Sequence, residues 1–177
     1  MRLASLLTIL VCGCATSSST PHATVARAST AAGGGVVAML EARSGSSVTG
    51  TARATPSSGG LALHVEIQGA TPGEHGVHIH EKGDCSDPKA TSAGGHYNPA
   101  GGAHHGGLNT PVRHGGDLGN ILVDSSGKGS LDVDVPGLSI DQVVGKAVVV
   151  HEKQDDLQTD PAGNSGARVA CGVLQAG

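Results

Sequence analysis

The chain has 177 residues, enough for one ordinary domain plus an appendage. With no Phe, no Trp and one Tyr against 29 Gly, its core must be built from Val, Leu, Ile and Ala, which suits a sheet-on-sheet fold with many turns. The net charge of −4 comes without a basic block, which argues against nucleic acid as a partner and leaves room for a local positive funnel toward a small anion.

At the N-terminus, Arg2 precedes the apolar run from Leu3 to Val11, far short of the about 20 residues a transmembrane helix needs. The run ends in "VCGC", where Gly13 precedes Cys14 and Val11 lies three positions before it. This resembles a bacterial lipoprotein signal cleaved before Cys14, whose thiol would carry lipid; a plain secretory peptide cut nearby is the alternative. The expected organisation is a signal peptide over 1–13, a flexible Ser/Thr/Ala/Gly-rich linker over 14–35 and a folded domain over 36–177. Such a protein is exported, to the periplasm or cell envelope of a bacterium, and meets the membrane only through its lipid anchor.

From Val36 onward the chain reads as strands. Val36 to Ala42 and Ser47 to Thr55 are short candidates. In "LALHVEIQ", Leu61, Leu63, Val65 and Ile67 alternate with Ala62, His64, Glu66 and Gln68, the period of a strand with one buried and one wet face. "SLDVDV" repeats the pattern with Leu131, Val133 and Val135 inward, and "DLGNILVD", "KAVVVHE" and "RVACGVL" follow. No stretch carries a helical period. The pattern predicts an all-β, antiparallel sandwich or barrel of about eight strands. Two long segments, Lys82 to Gly116 and Glu152 to Gly166, break the rhythm, and segments of that length in a compact domain usually carry function.

Cys12 and Cys14 fall in the signal region, so the mature domain keeps Cys85 and Cys171. An even pair in an exported protein reads by default as a disulfide; two free buried thiols are the alternative. Most of the ten histidines gather in the long loop or at strand ends. In "GVHIH", period 2 puts His78 and His80 on one face and Val77 and Ile79 on the other, with the two histidine Cα atoms roughly 6.6 Å apart. Alone this motif is weak evidence for a metal. It gains force from His96 in "GGHYNP", His104 and His105 in "HHGG", His114 and Asp117 in "RHGGDLGN", and His151 in "VVVHEKQDD". His22 in the linker, His64 on a polar strand face and His75 ahead of the histidine pair read as solvated.

The motifs "GVHIHEKGDC", "TSAGGHYNP", "HHGG", "RHGGDLGN", "VVVHEKQDDL" and "GNSGARVACGV", in that order from His75 to Val173, resemble the copper/zinc superoxide dismutase family. The resemblance implies a Greek-key, immunoglobulin-like fold with two long functional loops. It implies copper on His78, His80, His96 and His151, and zinc on His96, His105, His114 and Asp117, with His96 bridging both ions. His104 competes with His105 for the third zinc position, and the Gly-Gly that follows favours His105. Asp155 would hydrogen-bond a copper histidine and a zinc histidine together, Arg168 would guide the superoxide anion, and Cys85 and Cys171 match the family disulfide. The ligand sets agree with coordination chemistry: all-imidazole ligation suits copper, and three histidines with a carboxylate suit a structural zinc.

The implied activity is dismutation of superoxide to oxygen and hydrogen peroxide, with Arg168 and His96 as the catalytic residues. The competing reading is a non-catalytic copper- and zinc-binding lipoprotein on the same fold. The sequence departs from the animal enzymes between His151 and Arg168, where their pattern of acidic and basic residues is missing and Lys153 is the only lysine. Contacts that form dimers vary across the family, so a homodimer stays open.

Overall fold

The computed structural model describes residues 34–101 and 103–177; the segment read as a signal peptide, Cys14, His22 and most of the segment read as a linker fall outside the described residues. Nine strands alternate with loops: β1 (Val36–Ala42), β2 (Thr49–Ser57), β3 (Gly60–Gln68), β4 (Gly73–His80), β5 (Asp117–Val123), β6 (Lys128–Pro136), β7 (Ala147–His151), β8 (Arg168–Val173) and β9 (Gln175–Ala176). Among the described residues there are one short α-helix, α1 (Ile140–Val143), where the Ser139 N–H donates to Gln142 Oε1 at 2.9 Å, and one 3-10 turn at Thr91–Ala93.

All pairings between the strands are antiparallel, and the order β1-β2-β3-β6-β5-β4-β7-β8 returns to β1. Residues of β9 pair with Val36 and Val37 on the edge of β1 that β8 pairs with at Glu41 and Ala42, so β8 and β9 act as one interrupted strand. The result is a closed eight-stranded barrel. The connections β3 to β4 and β6 to β7 cross to non-adjacent strands, as a Greek key requires.

In β3, Leu61, Leu63, Val65 and Ile67 are buried and the residues between them are not, as the alternation predicts. In β6, Val135 is buried, while Leu131 and Val133 are half-buried against the rim of the core. β2 runs two residues later than predicted and includes Pro56. Every residue of β7, and β4 from His75 on, is buried. Val77, Ile79, Val148 and Val150 fill the interior of the barrel. The opposite side of these strands is covered by the long loops, and there Ala147, Val149 and Cys171 pack with Ala90 and Ala93 in a second, smaller cluster. Cys85 and Cys171 form a disulfide across 86 residues, with Cα atoms 5.8 Å apart, and so fasten the loop after β4 to β8.

Candidate metal centre

The covered outer face of β4 and β7 carries the histidines. His78 and His80 leave β4 on the side opposite Val77 and Ile79. Beyond His78 the pairing of β4 with β5 gives way: the Ile79 N–H donates to the Gly116 carbonyl at 2.9 Å and the Tyr97 N–H to the Ile79 carbonyl at 2.8 Å. The middle of the 82–116 loop and its C-terminal end are thereby laid along β4, and His96 pairs with His80 in an isolated bridge. Asp117 opens β5 directly across from His78, and His151 ends β7 across from Arg168. Non-local strand pairing thus gathers residues that are far apart in sequence.

His78, His80, His96 and His151 are buried, and their nitrogens lie within 4.8 Å of one another. One ring nitrogen of each is occupied. His78 Nε2 donates to Asp155 Oδ2 at 2.8 Å, His80 Nδ1 to the Gly94 carbonyl at 3.0 Å, His96 Nδ1 to Asp117 Oδ1 at 2.7 Å and His151 Nδ1 to the Gly166 carbonyl at 3.4 Å. The opposite nitrogens, His78 Nδ1, His80 Nε2, His96 Nε2 and His151 Nε2, are buried without a hydrogen-bond partner. An acceptor on one nitrogen fixes the proton there and leaves a lone pair on the other. Buried polar atoms are nearly always paired, so four lone pairs turned toward one point make a place for a cation rich in imidazole ligands.

Electrostatics favour the same state. Burial holds the rings of His80 and His151 well below the ordinary histidine range; the Arg168 charge adds to this at His80, and the neighbouring histidines add to it at His151. Burial also lowers His96 and takes His78 to about 4 against the pull of Asp155. All four rings are therefore neutral and open to a metal at neutral pH.

A second cluster shares His96. Asp117 Oδ1 accepts from the Nδ1 atoms of His96, His105 and His114 at 2.7, 3.1 and 3.3 Å. Its Oδ2 accepts the backbone N–H groups of Gly106 and His114. By mutual distance the group is His78, His96, His105 and Asp117, with His78 in the place of His114. The Nε2 of His78 is engaged by Asp155, however, and its Nδ1 belongs to the first cluster, so His114 is the better third imidazole. Three imidazole nitrogens around one carboxylate oxygen are the donor types of a closed tetrahedral site.

Asp155 joins the clusters. Its Oδ2 takes His78 Nε2 and its Oδ1 takes His105 Nε2 at 2.7 Å, while Asn120 on β5 grips its backbone with bonds of 2.7 and 2.9 Å. Burial opposes charge on His105, but the carboxylates of Asp117 and Asp155 outweigh it and push the ring up to about 9. Gly163 adopts φ 61° beside this contact, and a Cβ there would collide with Asp155 Oδ1 and His105 Nε2. Arg168 donates to the Ala90 and Gly94 carbonyls at 2.6 Å each, so Gly94 accepts from both His80 and Arg168.

Of the predicted ligands, His78, His80, His96 and His151 gather in one cluster and His96, His105 and Asp117 in the other, while His114 reaches the second only through its 3.3 Å contact with Asp117. His105 faces Asp117, whereas the side chain of His104 is 79% exposed. His64 stays on the surface beside Asp132. The reading of His75 as solvated is corrected: it is 4% exposed, its Nδ1 lying 2.8 Å from the His151 carbonyl and its Nε2 2.8 Å from the Thr71 carbonyl. Hydrogen bonding at both ring nitrogens makes its burial tolerable. Sequence reasoning also missed Asn120 and the Gly94 carbonyl; Asn120 carries a signal only in lying three residues after Asp117 on one strand, and a backbone acceptor carries none. A groove of about 700 Å³ lined by residues such as Thr51, Glu66, Leu122 and Lys128 includes no histidine.

Comparison with known proteins follows the same line. The family model described as copper/zinc superoxide dismutase matches residues 48–174. A Cu-Zn superoxide dismutase of Deinococcus radiodurans is 42% identical over 142 residues, covering 73% of this chain and 78% of that protein. One of Caulobacter vibrioides is 38% identical over 135 residues, covering 71% and 78%. The crystal structure of the clock protein EA4 aligns with a TM-score of 0.70 at 36% identity, covering 81% of this chain and 94% of that one.

Proposed function

This chain belongs to the copper/zinc superoxide dismutase family, and on that premise we propose that it holds copper on His78, His80, His96 and His151 and zinc on His96, His105, His114 and Asp117, and works outside the cytoplasm. It is a superoxide dismutase with copper and zinc as cofactors. The observation that carries the assignment is the set of four unpartnered imidazole nitrogens. The reaction converts two superoxide anions and two protons into one dioxygen and one hydrogen peroxide. Bound copper would supply the one-electron redox couple this reaction needs, and bound zinc would supply none.

The chain's own residues do the rest. Asp155, Gly94 and Gly166 fix the tautomers of His78, His80 and His151, so their donor atoms stay aimed inward. His96 is held through Nδ1 in the Asp117 cluster, leaving Nε2 free to take up a proton in one half of the cycle and deliver it toward peroxide in the other. Arg168 sits across from His151 with two of its N–H groups tied to carbonyls, so its cation has a fixed direction. Remaining charged at any working pH, it binds the anion and raises its local concentration.

The complete histidine set together with Arg168 favours turnover over a binding-only protein. The deciding experiment is superoxide dismutation by the purified copper- and zinc-loaded protein. Activity no greater than that of free copper, with both metals bound, would sink the catalytic reading. Export follows from the signal-like N-terminus and agrees with the disulfide. The lipid on Cys14 and the folded domain over 36–177 belong to the same proposal. Mass spectrometry of the mature N-terminus tests it, and an unmodified residue other than Cys14 there ends the lipid anchor.

A further inference from the structure

The 152–166 loop grips His105 at two separate points. Asp155 holds the ring through Nε2. Asp160 holds the backbone: its Oδ1 accepts the His105 N–H at 2.6 Å. The other oxygen of the same carboxylate, Oδ2, takes Nδ1 of His104 at 2.6 Å. One carboxylate therefore spans two consecutive residues of the 82–116 loop. His104 passes the constraint on, because its carbonyl accepts the His114 N–H at 3.2 Å and its backbone bridges to Arg113. Two of the three imidazoles around Asp117 are thus tied, through the backbone, to a residue that touches none of their rings.

We infer that Asp160 and His104 form a clasp between the two long loops, a positioning pair that sets the backbone of His105 and slows the loss of zinc. The inference rests on the assignment of zinc to His96, His105, His114 and Asp117. A ligand whose backbone is fixed before the ion arrives loses less conformational freedom on binding it. For His105 to peel away, the charge-assisted bond from its N–H must break together with the bonds to its ring. The side chains of His104 and Asp160 are 79% and 51% exposed, so the clasp lies at the rim and each bond is weakened by water. Its effect is accordingly kinetic and moderate, and it leaves the buried copper histidines untouched.

Cobalt(II) in the zinc position is the probe, because a tetrahedral cobalt site has visible bands whose loss to a chelator gives a release rate. The copper-loaded parent should show those bands. Asp160→Ala should keep the parent copper spectrum and release cobalt about tenfold faster, within the range typical of residues that orient metal ligands. Asp160→Asn retains an oxygen for the His105 N–H and should restore most of the difference. His104→Ala, which removes only the outer contact, should release cobalt about threefold faster. Equal release from the parent and Asp160→Ala overturns the clasp; should that variant not fold, unchanged release from His104→Ala does so. A parent without tetrahedral bands overturns the zinc assignment itself and the clasp with it, so the two failures are distinguishable.

Discussion

Replacing Asp155 by Asn separates what its carboxylate does from what its volume does. The carboxylate is buried, with one oxygen 2.8 Å from His78 Nε2 and the other 2.7 Å from His105 Nε2. Asparagine keeps one acceptor and presents its amide N–H₂ to the other ring N–H, a donor facing a donor. A hydrogen bond to a charged group is worth about 1.5–3 kcal/mol, and a buried unpaired donor costs about 1–3 kcal/mol more. Partial relaxation places the expected loss for the metal-free protein at about 3 kcal/mol. Zinc affinity should fall about 10- to 100-fold, because His105 loses the partner that orients its ring. The same change removes one of the two carboxylates that raise His105 to about 9, so its titration should move back toward the ordinary histidine range. A zinc competition titration and NMR titration of the metal-free variant read these two effects. Zinc affinity within about twofold of the parent, or a His105 that still titrates near 9, would refute the coupling of the two clusters through Asp155.

Arg168→Ala should retain both metals and slow dismutation about tenfold at low ionic strength, with the gap narrowing as salt screens the field; identical kinetics at low salt would remove the steering role. Replacing Cys85 and Cys171 together by Ser frees a loop of 86 residues, which in the chain-entropy account lowers unfolding free energy by about 4–5 kcal/mol. Denaturant unfolding measures this, and a loss below about 1 kcal/mol would mean that the loop is held by other contacts. The metal-free protein should also weaken on acidification. His78, His80, His96 and His151 have folded pKa values below the unfolded value of 6.5, so the unfolded chain takes up protons first. The contribution of these four rings is complete above 6.5 and falls as pH drops toward about 4, by on the order of 3 kcal/mol for His78 alone. Unfolding curves that do not change across that window would contradict it.

How much of this is legible in the sequence depends on whether the cause is local. Alternation in β3 announces one wet face, and Leu61 to Ile67 obey it. The same rule says nothing about β4 and β7, because the loops that bury their outer faces are distant in sequence. Closure of the barrel depends on β1 meeting both β2 and β8, a pairing that no window of residues encodes. The metal-facing histidines are legible as motifs through resemblance to a family. What they bond to on their far side is partly hidden: Asp155 is a side chain in a motif, but Gly94 and Gly166 act through carbonyls that every residue possesses. His75 misleads for a related reason, since its burial is permitted by the carbonyls of Thr71 and His151. Asp160 lies in a loop where an acidic residue ordinarily means nothing more than solubility.

Closure of the sheet also has a consequence for self-association. An open sheet ends in a strand whose unused N–H and C=O groups can recruit another chain, and natural proteins must guard that edge. Here β1 is paired on both sides, so among the described residues the first strand leaves no free edge. Templated aggregation must wait for a seam to part. The thinnest seams by register are β5 against β6, joined at Leu122 with Ser130 and Val123 with Gly129, and β1 against β8, joined at Glu41 with Cys171 and Ala42 with Ala170. The rate at which this protein aggregates should therefore follow how often the barrel opens.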